Sequence, residues 1–345
     1  MAYTLPAEWA SQDAIMFTWP HADTDWAPIL SDVEPVYLAL CRHILAFQSL
    51  VLVVHNEQLK QHVSQLLTTH QIDLTNVKFV VTPIDDTWAR DHGPISVYQE
   101  DGSVRALDFT FNGWGNKFDA KRDNAINQAV FEAVLHQDAH HETINMVLEG
   151  GGIESDGQGT LLTTSICLLN DNRNPNMTQA EIEALLSDKL GIEHFLWLHH
   201  GHLEGDDTDS HIDTLVRLAP NNTLVYVQCD DPQDSHYTEL NLMQNELRAL
   251  RNKDNHAFNL VPLPWPSAKY DVNGDRLPAT YANFLIINGA VLVPTYRDEH
   301  DQLALEQVAK AYPEHTVIGV DCLPLIHQFG SLHCISMQLP TGFLR

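Results

Sequence analysis

Cys334, eleven residues from the end of the chain, stands directly behind a Gly-Ser-Leu-His run in QFGSLHCISMQ. Three further polar islands lie far upstream. WARDHGP carries Trp88, Arg90 and Asp91; LEGGG carries Glu149; DSHIDTLVRL carries His211 and Asp213, two residues apart. A thiol can act as a nucleophile, a histidine can serve as acid and then base, and separated carboxylates can hold a positive charge. Together these are the parts needed to attack a cationic carbon centre.

The elements that must position them form a mixed α/β pattern. Residues 32–47 have helical spacing, and SLVLVV at 49–54 reads as a buried strand. The spacing predicts further helices at 57–69, 119–136, 178–190, 236–252 and 301–311. Thr178 with Glu181 three residues on forms a capping-box pattern at the third of these. Strands are predicted near 77–84, 94–98, 104–111, 195–198, 212–218, 223–228, 258–263, 283–287, 290–294, 316–320 and 332–338. MVLEGG and TLLTTSICLL flank a turn on Asp156-Gly157-Gln158-Gly159. Adjacent strand pairs between helices depart from plain βαβα alternation. A ββαβ phrase recurs roughly every 60–70 residues, enough for about five units. On this reading His211 and Asp213 share one face of a strand, and His333 points away from Cys334. No linker or composition break divides the chain, so residues 1–345 read as one catalytic domain.

Composition sets outer limits. With 19 basic and 46 acidic residues the formal net charge is −27. Such a field repels nucleic acid and anionic lipid and attracts cations. Five cysteines without a CxxC fit free thiols in a reducing cytoplasm. The first residues lack the basic start and apolar stretch of a signal peptide, and no apolar run approaches a membrane span. No GxGxxG or GxxxxGK[ST] supports nucleotide binding. Histidines cluster at 140–141 and 199–202, but without HExxH or paired CxxC spacing, so no metal site is expected.

Seven phrases carry a resemblance: EWASQDAIMFTWP, TWARDHGPISV, FNGWGNKF, LEGGGIESDGQGTLLTTSICLLNDNRNP, GHLEGDDTDSHIDTLVRL, YANFLIINGAVLVPTY and GSLHCISMQLP. From about residue 7 to 340 the chain resembles the agmatine deiminase and bacterial peptidylarginine deiminase family, of the guanidino-group-modifying superfamily. The resemblance implies a five-bladed pseudo-symmetric α/β propeller of ββαβ units with its active site in the central channel, and no metal or organic cofactor. It also implies Cys334 as nucleophile, His211 as general acid and base, and Asp91, Glu149 and Asp213 as the carboxylates that bind a guanidinium. Trp88 and Trp114 are candidates to wall the channel over an alkyl chain. Phe-Gly-Ser-Leu and Asp-Ser, just before the two catalytic islands, depart from the family wording and bear on substrate choice.

A guanidinium is planar, always charged and rich in N–H donors, and carboxylates accept those donors pairwise. Held in that way, its central carbon would face the sulfur, ammonia would leave, and water would release a ureido product. Agmatine is the expected substrate, with arginine or peptidylarginine as alternatives. A non-catalytic polyamine-binding protein is the alternative of another class, but cation binding alone needs no thiol. Arg90 is expected to pair with a structural carboxylate, and the acidic loop Glu204–Asp209 to receive a distal amine. A homodimer is expected on general grounds.

Overall fold

Buried apolar runs bounded by turns fold as strands close to where their pattern puts them. The computed structural model describes residues 3–345, and SLVLVV forms Ser49–Val54, buried from Leu50 onward. Strands flanked by parallel neighbours and covered by helices need continuous apolar character, and this one has it.

Five segments share one topology, an antiparallel strand pair, a helix, and a third strand parallel to the second. The first unit has Ile95–Gln99, Val104–Thr110, helix Ile126–Val134 and His140–Val147. The second has Ile153–Ser155, Thr160–Thr164, helix Gln179–Leu190 and His194–Leu198. The third has Val216–Ala219, Thr223–Val227, helix Tyr237–Ala249 and Asn259–Leu263. The fourth has Leu285–Ile287, Ala290–Thr295, helix Asp301–Ala311 and Thr316–Asp321.

The fifth joins the two ends of the chain. Ser336–Pro340 runs antiparallel to Gln12–Thr18, which continues through helix Leu30–Leu45 into the parallel strand Ser49–Val54. Helix Glu57–Thr69 and strand Val77–Val81 extend that sheet. The expected capping box is present at Thr178 and Glu181.

Several predicted strands are shorter than their pattern suggested, among them 77–84, which ends at Val81, and 283–287, which starts at Leu285. Residues 212–214 form a turn of 3₁₀ helix, and the strand starts only at Val216. Asp209 and Ser210 both have positive φ, which turns the chain sharply just before His211. Likewise Cys334 lies before the strand that begins at Ser336. The N–H of His333 donates to the backbone oxygen (3.2 Å) and the Oδ1 (2.9 Å) of Asn283, which draws it out of the ladder. The shared strand face expected for His211 and Asp213 is therefore replaced by a tight turn.

Among the described residues no helix is long and apolar enough to cross a membrane. All five cysteines are free and buried.

Candidate active site

Each unit delivers a polar residue from the turn immediately before its first strand. Asp91 precedes Ile95, Glu149 precedes Ile153, Asp213 precedes Val216, Asn283 precedes Leu285, and Cys334 precedes Ser336. Strand ends are rigid, and the turns that lead into them are free to carry side chains that make no ladder. These five residues and His211 are all buried.

Cys334 Sγ lies 3.9 Å from Asp213 Oδ2 and 3.4 Å from Asn283 Oδ1. His211 Nδ1 is 3.6 Å from Asp91 Oδ1. Asp91 also accepts hydrogen bonds from Trp114 Nε1 at 3.0 Å and the Gly151 N–H at 3.1 Å. Gly151 makes that approach possible, since a Cβ there would stand 2.5 Å from His211 Nδ1 and 2.8 Å from Asp91 Oδ1. The run of three glycines after Glu149 is thus a packing requirement of the site.

A cavity of about 110 Å³ opens beside the sulfur. Its wall includes Cys334, Trp88, Trp114, Phe118 and five aspartates: Asp25, Asp86, Asp91, Asp206 and Asp207. No lysine or arginine lines it among the described residues. Trp26, Trp88 and Trp114 follow one another at ring distances of 5.7 and 6.2 Å, with Trp88 and Trp114 edge to face. Asp206 and Asp207 belong to the loop expected to meet a distal amine.

The charges here are unbalanced. Burial, reinforced by the nearby Asp213 and Glu149, holds the Asp91 carboxyl well above the usual carboxylate range. Burial, with Asp213 and Asp91 adding to it, pushes the Cys334 thiol well up. His211 is pushed down to about 3 by burial and is neutral at physiological pH. Burial also works to raise Asp213, but the His333 ring against it outweighs that and holds it low. Two buried atoms, Asp213 Oδ1 and His211 Nε2, have no protein partner. Buried polar atoms without partners are uncommon and call for an explanation, here a ligand or water.

Two residues differ from their expected surroundings. Glu149 is paired with the Arg173 guanidinium, Nε to Oε1 at 2.9 Å, and Arg173 in turn reaches Asp209. Its carboxylate therefore has only part of its accepting capacity free. His333 does not face away from the site: its Nδ1 lies 2.7 Å from Asp213 Oδ2 and its Nε2 2.7 Å from Glu8 Oε2. Arg90 lies 3.9 Å from Glu8, the structural carboxylate expected for it. Donor atoms of Glu149, Cys167 and His211 fall within 4.8 Å of one another, as do those of Glu8, Glu154 and His333. In both groups a guanidinium already sits on a carboxylate, Arg173 on Glu149 and Arg217 on Glu8 and Glu154. That positive charge works against a metal cation.

The family model described as Porphyromonas-type peptidyl-arginine deiminase matches residues 4–340. The chain belongs to that family. Within it, an agmatine deiminase of Stutzerimonas stutzeri is 31% identical, over 99% of this chain and 97% of its own. Among solved structures, an agmatine deiminase of C. jejuni with one cysteine changed to serine and substrate bound is 36% identical. It has a TM-score of 0.90, with 99% of this chain and 97% of that one covered. A candidate arginine deiminase of Porphyromonas gingivalis is 44% identical with a TM-score of 0.91, covering 99% of this chain and all of that one.

Asn283, Arg173 and the cavity aspartates Asp25 and Asp86 were not singled out from the sequence. Asn283 offered one signal, as an amide in the otherwise apolar run YANFLII. The others are ordinary surface-type residues until the fold buries or gathers them.

Proposed function

We propose that the chain is an agmatine iminohydrolase, converting agmatine and water to N-carbamoylputrescine and ammonia. The observation that carries this reading is the cavity wall, with a thiol and five aspartates and no basic side chain among the described residues. A dication suits that wall at both ends. The guanidinium meets Asp91 and Asp213, whose Oδ1 lacks a partner. Glu149 assists from beneath, and the terminal amine meets Asp206 and Asp207. Trp88 and Trp114 cover the alkyl chain.

Binding a cation favours loss of the proton from both Asp91 and Cys334, because it offsets the acidic surroundings that hold those protons on. The sulfur forms a bond to the guanidinium carbon, and the C=N electron pair moves to nitrogen. His211 carries the thiol proton to the departing nitrogen, the C–N bond breaks, and ammonia leaves. A thiouronium intermediate remains on Cys334. His211 then takes a proton from water, and oxygen adds to the same carbon. The C–S bond breaks, the ureido product leaves, and the sulfur recovers its proton. Acid and base help of this kind contributes roughly 10²–10⁴-fold.

Free arginine or peptidylarginine is the second reading. An α-carboxylate normally calls for an arginine clamp, and the cavity wall offers aspartates instead. Ammonia release from agmatine, arginine and a blocked arginine peptide separates the substrates. Agmatine is expected to be fastest, and a preference for arginine would overturn the assignment. Cys334→Ala is expected to abolish turnover of all three, and retained activity would overturn the mechanism.

The five equivalent turns support a five-bladed propeller, with units arranged about a pseudo-fivefold axis and the site at its centre, and the whole chain acting as one catalytic domain. We take the assembly to be a symmetric homodimer and the compartment to be the cytoplasm, which suits five unpaired thiols. Light scattering tests the first, and fractionation the second.

A further inference from the structure

Four of the five units supply a residue with a chemical role in the reading above: Asp91, Glu149, Asp213 and Cys334. The fourth unit supplies Asn283 from the equivalent turn, fully buried. Its Oδ1 accepts the N–H of His333 at 2.9 Å and of Cys334 at 3.3 Å, and lies 3.4 Å from Cys334 Sγ. Its Nδ2 donates to the Asp213 side chain at 3.3 Å and to the Asp213 backbone oxygen at 3.4 Å. One amide therefore ties the nucleophile's backbone and sulfur to a carboxylate from another unit.

The direction of that amide is fixed. Turned the other way, its NH₂ group would face two backbone N–H groups and its oxygen would face a carboxylate. Held as it is, it presents an oxygen to the sulfur, which can accept from S–H but repels a thiolate. Resting on the reading of Cys334 as nucleophile, we propose that Asn283 is a positioning residue that keeps the sulfur in its S–H form, aimed into the cavity, until a cationic substrate arrives. The carboxylates around the sulfur act in the same direction, against a backbone contact at Ser331 that favours the thiolate. Asp213 lies against it, and Asp91, Asp25, Asp86, Asp206 and Asp207 share its cavity. The cations nearby are committed elsewhere. Arg90 meets only backbone oxygens of the nucleophile's turn, its N–H donating to the Cys334 oxygen at 3.1 Å and its Nε to the His333 oxygen at 3.4 Å, with its charge beside Glu8, and Arg217 is held on Glu8 and Glu154. His333 lies on Asp213 and Glu8. The resting enzyme then protects its thiol from oxidants and alkylating agents and arms it only for a cation.

The test reads the sulfur directly. Ultraviolet thiolate absorbance is followed against pH, as a difference between each protein and the same protein carrying Cys334→Ala. Asn283→Ala is expected to lower the pH midpoint by about one unit, and to cut kcat more than about tenfold because the sulfur is no longer held in place. Asn283→Asp keeps an acceptor for both N–H groups but adds charge, and is expected to raise the midpoint. A merely structural role would leave the midpoint of the folded fraction unmoved, and a rise in Asn283→Ala would mean the amide donates to sulfur; either result overturns the proposal. Should neither variant fold, the wild-type infrared S–H stretch, taken as a difference against Cys334→Ser, decides. A hydrogen-bonded S–H band at neutral pH is expected, and no such band would overturn the proposal. The absorbance and infrared readouts use no substrate. If agmatine is not turned over, or Cys334→Ala stays active, the function has failed separately.

Discussion

Two buried charged regions meet at His333, and they are built on opposite principles. Around Arg217 the charges are matched. Its guanidinium reaches Glu154 and Glu8 at 2.6 Å each, His333 at 2.9 Å, and the backbone oxygens of Ala282 and Phe284. Burial disfavours the charge on Glu8, but His333, Arg217 and Arg90 outweigh it and hold the carboxyl low. Around Cys334 the charges are not matched. Asp91 has a tryptophan, a backbone N–H and the neutral His211 ring beside it and no arginine, and Asp213 keeps one oxygen unpaired. A satisfied ionic network fixes geometry. An unsatisfied one is a binding site, because a ligand can supply the missing charge. The shared residue lets the first region hold the second in place: His333 links Glu8 to Asp213, and Arg90 ties its backbone to that of Cys334.

The contrast can be broken from either side. Arg217→Met leaves Glu8 and Glu154 buried without their main cation. It is expected to cost about 3–5 kcal/mol of stability, read from urea unfolding. Asp91→Asn is expected to do the reverse. Turnover should fall about 10²–10³-fold, roughly 3–4 kcal/mol, while stability holds or rises. The sign follows from Asp91 being held above its ordinary range. At neutral pH folding must bury its charge or take up a proton, so the gain on removing the carboxylate is present there and disappears below the ordinary carboxylate range. A marked loss of stability in Asp91→Asn would show the site to be as balanced as the Arg217 network.

Gly151→Ala would push a methyl into the His211–Asp91 contact. It should lower kcat/KM about 10²-fold with a circular dichroism spectrum like that of the parent. For the unmodified enzyme, Asp91 and Cys334 both hold protons that a bound cation displaces. Agmatine binding should therefore release the Asp91 proton, since His211 takes the Cys334 proton to the departing nitrogen, and kcat/KM should fall by up to about tenfold per unit as pH is lowered through the raised range of Asp91. Calorimetry in buffers of different ionisation enthalpy measures that release, and proton uptake instead would reverse the assignment. The smallest effect is expected far from both regions. Thr178→Ala removes the capping-box hydroxyl that the Glu181 N–H bonds, at about 1 kcal/mol, with kcat/KM unchanged.

Local pattern carried most of the element positions. Helix Glu57–Thr69 and strand Ser49–Val54 lie where their spacing puts them, because buried faces there depend on near neighbours in sequence. The pattern gave out at the site itself. Residues 211–214 and 332–335 read as strand from their pattern, yet their hydrogen bonds go to side chains such as Asn283 and Thr208 instead of a ladder. Elements at which local pattern and tertiary structure disagree are often the functional ones, and His211 and Cys334, the acid–base and nucleophile of the proposed reaction, lie in two of them.

The chain's order of residues settled which reactive groups exist and where along it they occur: one thiol beside a histidine near the end, one histidine–aspartate pair, and acidic islands in a strongly acidic protein. Only the packed fold decided which of those acids are compensated. Arg173 neutralises Glu149 across 24 residues and Arg217 neutralises Glu8 across 209, while Asp91 receives no such cation. Burial and partner choice set the charge of a carboxylate, and both come from residues distant in sequence, so the difference between a structural acid and a cation-binding one is a property of the tertiary structure.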